Sequence, residues 1–527
     1  QKIEGVVSGK TITFAYKGLN YATAYTFTLA AGSVADLTDN ATDQAIVLNF
    51  TTKTKPAVTK ALYDFIVPTD GDFKAALAAA AKRTDTSKRF RIFIKQGDYK
   101  IPADEKSKVT GSDGKSYANP TTYMNTPNVS IIGESMDNTS LTNTIPNSRQ
   151  SANVLEGIGK GDVLCLQKGA TNTYFQDLKM YSSMGDAKGR DIILNDQSNK
   201  TICKNVNLWA YQDTYVSNNQ NGKFYFEDGI LRGRTDYLCG KGDVYYNNVE
   251  LWICEKGGYL AVPSQPKKYG YIFKDCTIKD ATAAKDLNGN YTLGRPWGKG
   301  TPIALYINTK MEAIPSAAGW NEMSGGYPKR FAEYNSYTTT GSVVDLKDRK
   351  KVYDAYDSKD GDNYVNRRNE TAGDPILTAE EAATYTIETV MGQDDDWDPT
   401  AATEQASAPS NVKLNGTTLA WDNNDYALLW AVCKNGKVVD FTIKPTYLVD
   451  DASATWSVRA ANEMGGLSEA TAAVLGTGIH NIASATDAAV IKTAIYAADG
   501  TQLSNLQKGI NIIVKTLADG SKKTSKV

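Results

Sequence analysis

Two aspartates stand out as candidates for chemistry. Asp213 lies in the stretch YQDTY (residues 211–215) and Asp236 in GRTDYLCG (residues 233–240), 23 residues further on. This separation equals a local repeat described below, so we expect the two carboxyl groups on neighbouring turns of that repeat, where strands lie ~4.8 Å apart. Two carboxylates this close cannot both ionise cheaply, and one keeps its proton near neutral pH. The spacing predicts a general acid beside a nucleophile, whereas capping of turns is the competing structural interpretation.

The chain has 527 residues but a single histidine, His480. This count excludes a histidine-based catalytic triad and a multi-histidine zinc or iron site. The 58 basic and 59 acidic residues give a formal net charge of −1, which argues against nucleic acid or an anionic membrane as a partner. No stretch reaches the ~18 apolar residues of a membrane span. We therefore expect hydrolytic chemistry that runs on carboxylates, amides, arginine, tyrosine or cysteine.

Six cysteines are spread along the chain, and none falls in a CxxC pair. They are Cys165, Cys203, Cys239, Cys254, Cys276 and Cys433. Small apolar core residues are the favoured interpretation, and two bridges among the first five remain open.

A repeated short unit begins near residue 128. It consists of aromatic or β-branched residues, an Asn or Asp, and further apolar residues. The five copies centre on Asp177, Asn205, Asp228, Asn248 and Asp275, with spacings of 28, 23, 20 and 27 residues. Periods of ~20–30 residues with β character predict a parallel β-helix, and a β-sandwich with accidental self-similarity is the alternative.

The flanks of this solenoid have a different pattern. Residues 1–57 alternate like short strands and resemble an Ig-like β-module, whole or partial. Residues 58–402 form the predicted solenoid domain. Residues 403–475 resemble a fibronectin type III β-sandwich. Residues 476–527 resemble the C-terminal β-module, a sorting tail, of some secreted bacterial proteins. The expected fold is therefore mainly β, a parallel β-helix flanked by small β-sandwich modules.

A third polar stretch, LGRPW (residues 293–297), follows the two aspartate motifs. In this order the three stretches resemble the motifs of pectin methylesterases, which are carbohydrate esterases on a right-handed parallel β-helix. The likeness extends over about residues 58–400. It includes IPSAAGW at residues 314–320 and FAEY at residues 331–334.

The resemblance implies a role for each candidate residue. Asp236 would attack a galacturonate methyl ester, and Asp213 would serve as acid and then as base. Gln212 would donate to the oxyanion, and Arg295 would hold Asp236. The aromatic residues of the three stretches would line the sugar groove as substrate-binding walls: Tyr215, Tyr237 and Trp297. This scheme needs no cofactor and no metal.

Several positions depart from the family pattern. Tyr215 follows Thr214 without the intervening leucine, and Cys239 replaces a phenylalanine of the second motif. The second oxyanion glutamine of the family falls on Arg190, in GRDIIL (residues 189–194). An arginine can donate to an oxyanion or bind a uronate carboxylate, so we expect Arg190 to contact the substrate, although its fixed charge changes substrate preference.

Together these features predict a pectinesterase, secreted or on the cell surface of a bacterium (extracellular or periplasmic), that acts as a monomer on pectin. Two alternatives remain open. A non-catalytic polysaccharide-binding or adhesive protein would use the tyrosine and tryptophan rings alone. Another β-helix pectin-degrading enzyme, a calcium-dependent lyase, would need an acidic cluster, and the only dense acidic run, residues 394–396, is interpreted as a solvated loop.

Overall fold

A computed structural model describes most of the chain. The described residues are 2–8, 11–14, 16, 19–36, 38, 40–58, 61–145, 154–187, 189–424, 426–476, 490–507, 510–517 and 522–526. His480 lies outside them. The chain divides into two compact units, one built mainly from residues up to Ser407 and the other mainly from Ala408 onward.

Three long parallel sheets make up most of the first unit. Sheet A has seven strands: Thr122–Met124, Leu164–Leu166, Leu194–Asp196, Tyr215–Ser217, Thr235–Gly240, Gly258–Pro263 and Tyr291–Gly294. Sheet B has ten: Phe65–Val67, Phe90–Ile94, Val129–Gly133, Tyr174–Gln176, Thr201–Lys204, Lys223–Glu227, Asp243–Asn247, Tyr271–Lys274, Ile303–Ile307 and Arg330–Tyr334. Sheet C has nine: Gly97–Ile101, Thr139–Asn143, Lys179–Tyr181, Asn207–Trp209, Ile230–Gly233, Glu250–Ile253, Thr277–Asp280, Lys310–Met311 and Tyr337–Thr338.

The chain visits the three sheets in a fixed rotation. One coil, for example, runs through Tyr215–Ser217 in sheet A, Lys223–Glu227 in sheet B and Ile230–Gly233 in sheet C. The next coil begins at Thr235–Gly240, which pairs in parallel with the sheet A strand of the coil before it. This winding is a parallel β-helix, as the sequence repeat predicts.

The Asn and Asp of the repeat have a common structural role. All five lie between a sheet B strand and a sheet C strand and adopt the left-handed conformation, with φ between 48° and 59°. Asn and Asp tolerate this region better than other side chains do. The amide of Asn205 donates to Asp177 at 2.6 Å, and that of Asn248 donates to Asp228 at 2.7 Å. The repeat is therefore a stack of turns tied together along the solenoid.

Aromatic rings fill the interior of the solenoid. The rings of Phe226, Tyr246, Phe273 and Tyr306 stack on successive coils, with centroids 5.1, 4.6 and 4.2 Å apart. All four are buried, and full burial of such a side chain stabilises by roughly 1.5–3 kcal/mol. The helix Phe73–Lys82 presents its buried face to the same core.

The acidic run at residues 394–396 is exposed, as expected for a solvated loop, but two of its carboxylates also form ion pairs. The Nζ of Lys223, a side chain that is 1% exposed, pairs with Asp395 and lies 3.4 Å from Asp394. The same Nζ donates to the carbonyl of Met391 at 2.7 Å. A buried ammonium must be paired, so these two carboxylates neutralise Lys223.

The remaining elements are short. Besides the helix above, the described helical segments are Ala379–Ala383, the π-helix Glu388–Gly392 and Thr400–Thr403. The antiparallel two-stranded pairs are Gly5–Ser8 with Thr11–Phe14, Ala24–Leu29 with Ile46–Thr51, Asp104–Thr110 with Ser116–Asn119, Val352–Ala355 with Arg368–Thr371, and Ser358–Asp360 with Asn363–Val365. In the described part of the chain no helix is both long and apolar enough to cross a membrane.

Three four-stranded sheets account for the strands of the C-terminal region. The first contains Thr446–Leu448, Thr418–Ala420, Lys413–Asn415 and Val474–Leu475. The second contains Lys437–Thr442, Leu429–Lys434, Trp456–Ala461 and Thr471–Ala472. The third contains Gln502–Leu503, Val490–Ala497, Asn511–Leu517 and Lys522–Lys526. The domain boundaries and the fibronectin-like and Ig-like assignments stay predictions. All six cysteines are free thiols, and five are buried.

Candidate active site

Asp213 and Asp236 occupy equivalent positions on neighbouring coils. Gln212 pairs in parallel with Thr235, and Tyr215 pairs with Leu238, so the register is 23 residues on both sides of the aspartates. Both carboxyl groups are buried, at 6% and 4% residue exposure. The negative charge of Asp236 acts on Asp213 and opposes its ionisation. The repeat spacing thus brings together the two carboxyl groups that the sequence singled out.

Both aspartates have unusual backbone geometry. Asp213 has a φ of 57° and Asp236 a φ of 49°, in the left-handed region. The pairing of the strand Thr235–Gly240 with the next coil also shifts register between Thr235 and Leu238, a bulge that contains Asp236. Bulges and left-handed residues are enriched beside active sites, because they redirect a side chain out of the regular strand pattern.

Arg295 holds Asp236 from two coils away. Its Nε donates to Oδ1 at 2.9 Å and its Nη2 to Oδ2 at 2.6 Å, which is a two-pronged fork. The backbone of Arg295 is placed by its N–H, which donates to the Ala261 carbonyl at 3.0 Å. The ring of Tyr259, on the intervening coil, lies 3.9 Å from the guanidinium carbon and supports it by a cation–π contact.

Arg190 lies on the coil before Asp213. Its Nε is 2.6 Å from Oδ2 of Asp213, and its backbone pairs in parallel with that of Gln212. Gln212 is half-buried and pairs in turn with Thr235, so these three residues stand side by side on successive coils. Each catalytic carboxyl candidate therefore has its own guanidinium, and Gln212 directly precedes Asp213 on the same coil.

The environment of Asp213 suits a general acid. Burial and, to a smaller extent, the charge of Asp236 raise the pKa of Asp213 to about 7, although Arg190 and Arg295 act in the opposite direction. A carboxyl group with a pKa near 7 carries a proton in part of the population at neutral pH. Asp236 beside it is held in the arginine fork, which limits the rotation of its carboxylate. The arrangement can therefore divide proton transfer and nucleophilic attack between two carboxyl groups.

Two of the expected groove residues lie elsewhere. Tyr215 and Tyr237 are 0% exposed and belong to the apolar core of the solenoid. Their prediction as substrate-binding walls is therefore wrong. Side chains alternate between the two faces of a strand, and these two point inward. Trp297, in contrast, is 39% exposed.

Sequence reasoning did not identify Tyr259. The signal that could have found it is its position 23 residues after Asp236, one repeat further along the solenoid. The sequence also gave no indication of an apolar cluster on the outer face of sheet A, formed by Ile192, Val216, Cys239 and Val262. The Cys239 thiol of this cluster lies next to Asp213 and lowers the pKa of that carboxyl group.

No group of three or more histidine, cysteine, aspartate or glutamate side chains is arranged to bind a metal ion anywhere in the described ranges. A cavity of about 670 Å³ lies between the helix Phe73–Lys82 and residues 103–107 and 119–126, and neither aspartate lines it.

The sequence matches the family model described as Pectinesterase over residues 64–367. It is similar to "Pectinesterase 1" of Solanum lycopersicum, with 22% identity over 291 residues, 53% of this chain and 48% of that protein. It is 29% identical over 165 residues to "Probable pectinesterase A" of Aspergillus oryzae, 30% of this chain and 48% of that protein. The chain thus spans about half the length of the curated relatives it matches.

Among solved structures, the chain is similar to "Pectin methylesterase PemA from Erwinia chrysanthemi". The TM-score is 0.45 and the identity 20%, over 65% of this chain and 99% of that one. "Pectin methylesterase from Carrot" gives a TM-score of 0.41 and 18% identity, over 56% of this chain and 87% of that one.

Proposed function

Because this chain belongs to the pectinesterase family, with more than half of its residues matched, we propose that it hydrolyses the methyl esters of galacturonate residues in pectin and releases methanol. The observation that carries the proposal is the pair Asp213 and Asp236. The two carboxyl groups are in register on neighbouring coils, and Arg295 forks onto one of them.

The first half-reaction forms an acyl-enzyme. A carboxylate oxygen of Asp236 attacks the ester carbonyl carbon, and the carbonyl electrons move onto oxygen. When the tetrahedral intermediate collapses, the bond to the methoxy group breaks and Asp213 gives its proton to the departing methanol. The product is an anhydride between Asp236 and the uronate, and Asp213 is left as an anion.

The second half-reaction reverses the direction of the proton. The Asp213 anion takes a proton from water as the water oxygen attacks the uronate carbonyl. The bond to Asp236 then breaks, which restores both residues and releases the galacturonic acid, whose carboxyl proton passes to solvent water. The side-chain amide of Gln212, next to Asp213 in the chain, is proposed to donate to the oxyanion in both halves. Trp297 is proposed to stack against a sugar ring beside the site.

The location of the protein, its oligomeric state and the role of its flanking regions also belong to the proposal. We propose that the protein is secreted or held at the surface of a bacterial cell, acts as a monomer and binds methylated homogalacturonan. The regions 1–57, 403–475 and 476–527 are proposed as β-modules beside the catalytic solenoid at residues 58–402. The antiparallel strand pairs within residues 1–57 and the four-stranded sheets after residue 408 support β-modules there.

Methanol release from highly methylated pectin tests the proposal. The wild type is expected to release methanol, and Asp236→Asn is expected to lower kcat by at least roughly 10³-fold, because an amide is a poor nucleophile. Asp345→Asn, at a carboxylate that is 65% exposed on its side chain, is the matched control and should retain full activity. If wild type and Asp236→Asn release methanol equally slowly while both bind pectin, the protein is a polysaccharide-binding module instead.

A further inference from the structure

Arg190 forms an ion pair with Asp213 in the structure. Its Nε lies 2.6 Å from the Asp213 carboxylate, whose side chain is 9% exposed, whereas the Arg190 side chain is 37% exposed. A guanidinium that contacts a buried carboxylate while reaching solvent can neutralise that carboxylate without being fully desolvated itself. Arg190 is therefore placed to act through Asp213.

The loop that carries Arg190 is anchored on both sides. Asp186 accepts a hydrogen bond from the Trp209 indole at 2.7 Å and pairs with Arg232, both on the outer face of sheet C. Asp191, directly after Arg190, accepts a hydrogen bond from the Ser182 hydroxyl. These contacts tie the loop to the solenoid before and after Arg190, so the guanidinium is held near Asp213 by its surroundings.

Four ionisable or charged groups act on Asp213. Arg190, Arg295 and the Cys239 thiol favour its anion, and Asp236 disfavours it. Arg295 already donates two hydrogen bonds to Asp236. Arg190 is thus the cation among these groups that pairs directly with Asp213.

We propose that Arg190 is a positioning residue that stabilises the anion of Asp213 left after proton donation and thereby sets the upper pH limit of the esterase. This inference rests on the proposed function. Arg190 lowers the pKa of Asp213, so Asp213 gives its proton to methanol more readily. The same effect makes Asp213 lose its proton to solvent at a lower pH. The site then has two guanidinium–carboxylate pairs side by side, one for the nucleophile and one for the acid.

Replacement of Arg190 tests this role. Arg190→Gln keeps a neutral donor and removes the charge, whereas Arg190→Lys keeps the charge. Arg368→Gln makes the same chemical change in the hairpin where Arg368 pairs with Glu370, so it controls for net charge. The measurement is kcat and KM for a methylated oligogalacturonide from pH 5 to pH 10.

We expect Arg190→Gln to move the alkaline limb of kcat/KM upward by about one pH unit or more, because an opposite charge at this distance lowers a carboxyl pKa by ~1–3. Its plateau kcat should fall, since the weaker acid donates less readily, and KM should stay close to that of the wild type. Arg190→Lys should keep the limb near the wild-type position, and Arg368→Gln should leave the whole profile unchanged.

Two results would overturn the inference. One is an Arg190→Gln profile with an unmoved limb and a raised KM, which would make Arg190 a substrate-binding residue. The other is an equal loss of kcat in Arg190→Gln and Arg190→Lys with no change in the profile.

A wild type that releases no methanol would refute the proposed function and not this inference. In that case infrared spectroscopy replaces the activity assay. The band of the protonated Asp213 carboxyl group is identified by its absence in Asp213→Asn, and it is followed as the pH is raised. That band should persist to higher pH in Arg190→Gln than in the wild type, and an unshifted titration would refute the inference. Urea unfolding of each variant confirms that the protein compared is folded.

Discussion

Arg295 reaches Asp236 across an intervening coil and binds both of its carboxylate oxygens, at 2.9 and 2.6 Å. The two residues are 59 positions apart in the chain. The parallel winding brings them together because each coil returns the chain to the same face of sheet A. The fork fixes the direction in which a carboxylate oxygen can attack, and direction is what a weak nucleophile such as a carboxylate needs most.

Replacement of Arg295 by lysine should separate charge from orientation. Arg295→Lys keeps a positive charge beside Asp236 but loses the planar fork, so the Asp236 carboxylate rotates more freely. We expect kcat for methanol release to fall by roughly 10²-fold with little change in KM. Arg330→Lys, at a fork onto Glu381, is the matched control. Full activity of Arg295→Lys would show that charge alone suffices.

Tyr259 should contribute through Arg295. Its ring lies 3.9 Å from the guanidinium carbon, and a partly desolvated cation–π contact is worth about 0.5–2 kcal/mol. We expect Tyr259→Leu to lower kcat by roughly 3- to 30-fold, and Tyr259→Phe to keep most of the activity. A Tyr259→Phe variant as slow as Tyr259→Leu would point to the hydroxyl group instead of the ring face.

The repeat was predictable from the sequence because its physical cause is local. Asn205 and Asp228, for example, adopt a left-handed turn that few side chains tolerate, so Asn or Asp recurs at this turn in the five copies of the repeat. A spacing of 23 residues then implies the register of Asp213 with Asp236 without knowledge of the rest of the fold. The parallel β-helix and the carboxyl pair follow from the same pattern.

Side-chain direction near the site was not predictable in the same way. Tyr215 follows Asp213 by two residues, yet the left-handed backbone at Asp213 breaks the simple alternation of faces, and the ring enters the core. The pairing of Arg190 with Asp213 depends on the conformation of a long, flexible side chain, which spacing does not determine. Tyr259 belongs to none of the three motifs, and its ring contacts the side chain of Arg295.

The glycine of the LGRPW stretch has a steric role. A Cβ at Gly294 would collide with the carbonyl oxygen of Ala261 on the neighbouring coil. Gly294→Ala must push the two coils apart just before Arg295, so we expect a loss of about 1–3 kcal/mol in unfolding free energy and a drop in kcat. Gly392→Ala, where nothing lies within 4 Å of the added atom, is the control. Urea unfolding measures the stability of both variants, and equal stability would contradict the steric argument.

Buried carboxyl groups near the site should make stability depend on pH. Burial raises the pKa of Asp191 to about 7, whereas an unfolded aspartate titrates near ~3.9. Between these values the folded protein holds a proton that the unfolded chain has lost. The stabilisation from this group is therefore complete below about pH 4 and is lost as the pH rises through about 7. At pH 8 the cost of ionising it in the folded state is at most about 4 kcal/mol.

Asp191→Asn should remove this cost. We expect the loss in unfolding free energy between pH 5 and pH 8, measured by urea denaturation, to be smaller in Asp191→Asn than in the wild type. The neutral amide can still accept a hydrogen bond from the Ser182 hydroxyl, so the variant should be no less stable at pH 8. Asp345→Asn is the control, because Lys347 lowers the pKa of this exposed carboxylate and it stays ionised over the whole range. If Asp191→Asn and Asp345→Asn lose the same stability between pH 5 and pH 8, Asp191 does not carry a proton in the folded protein.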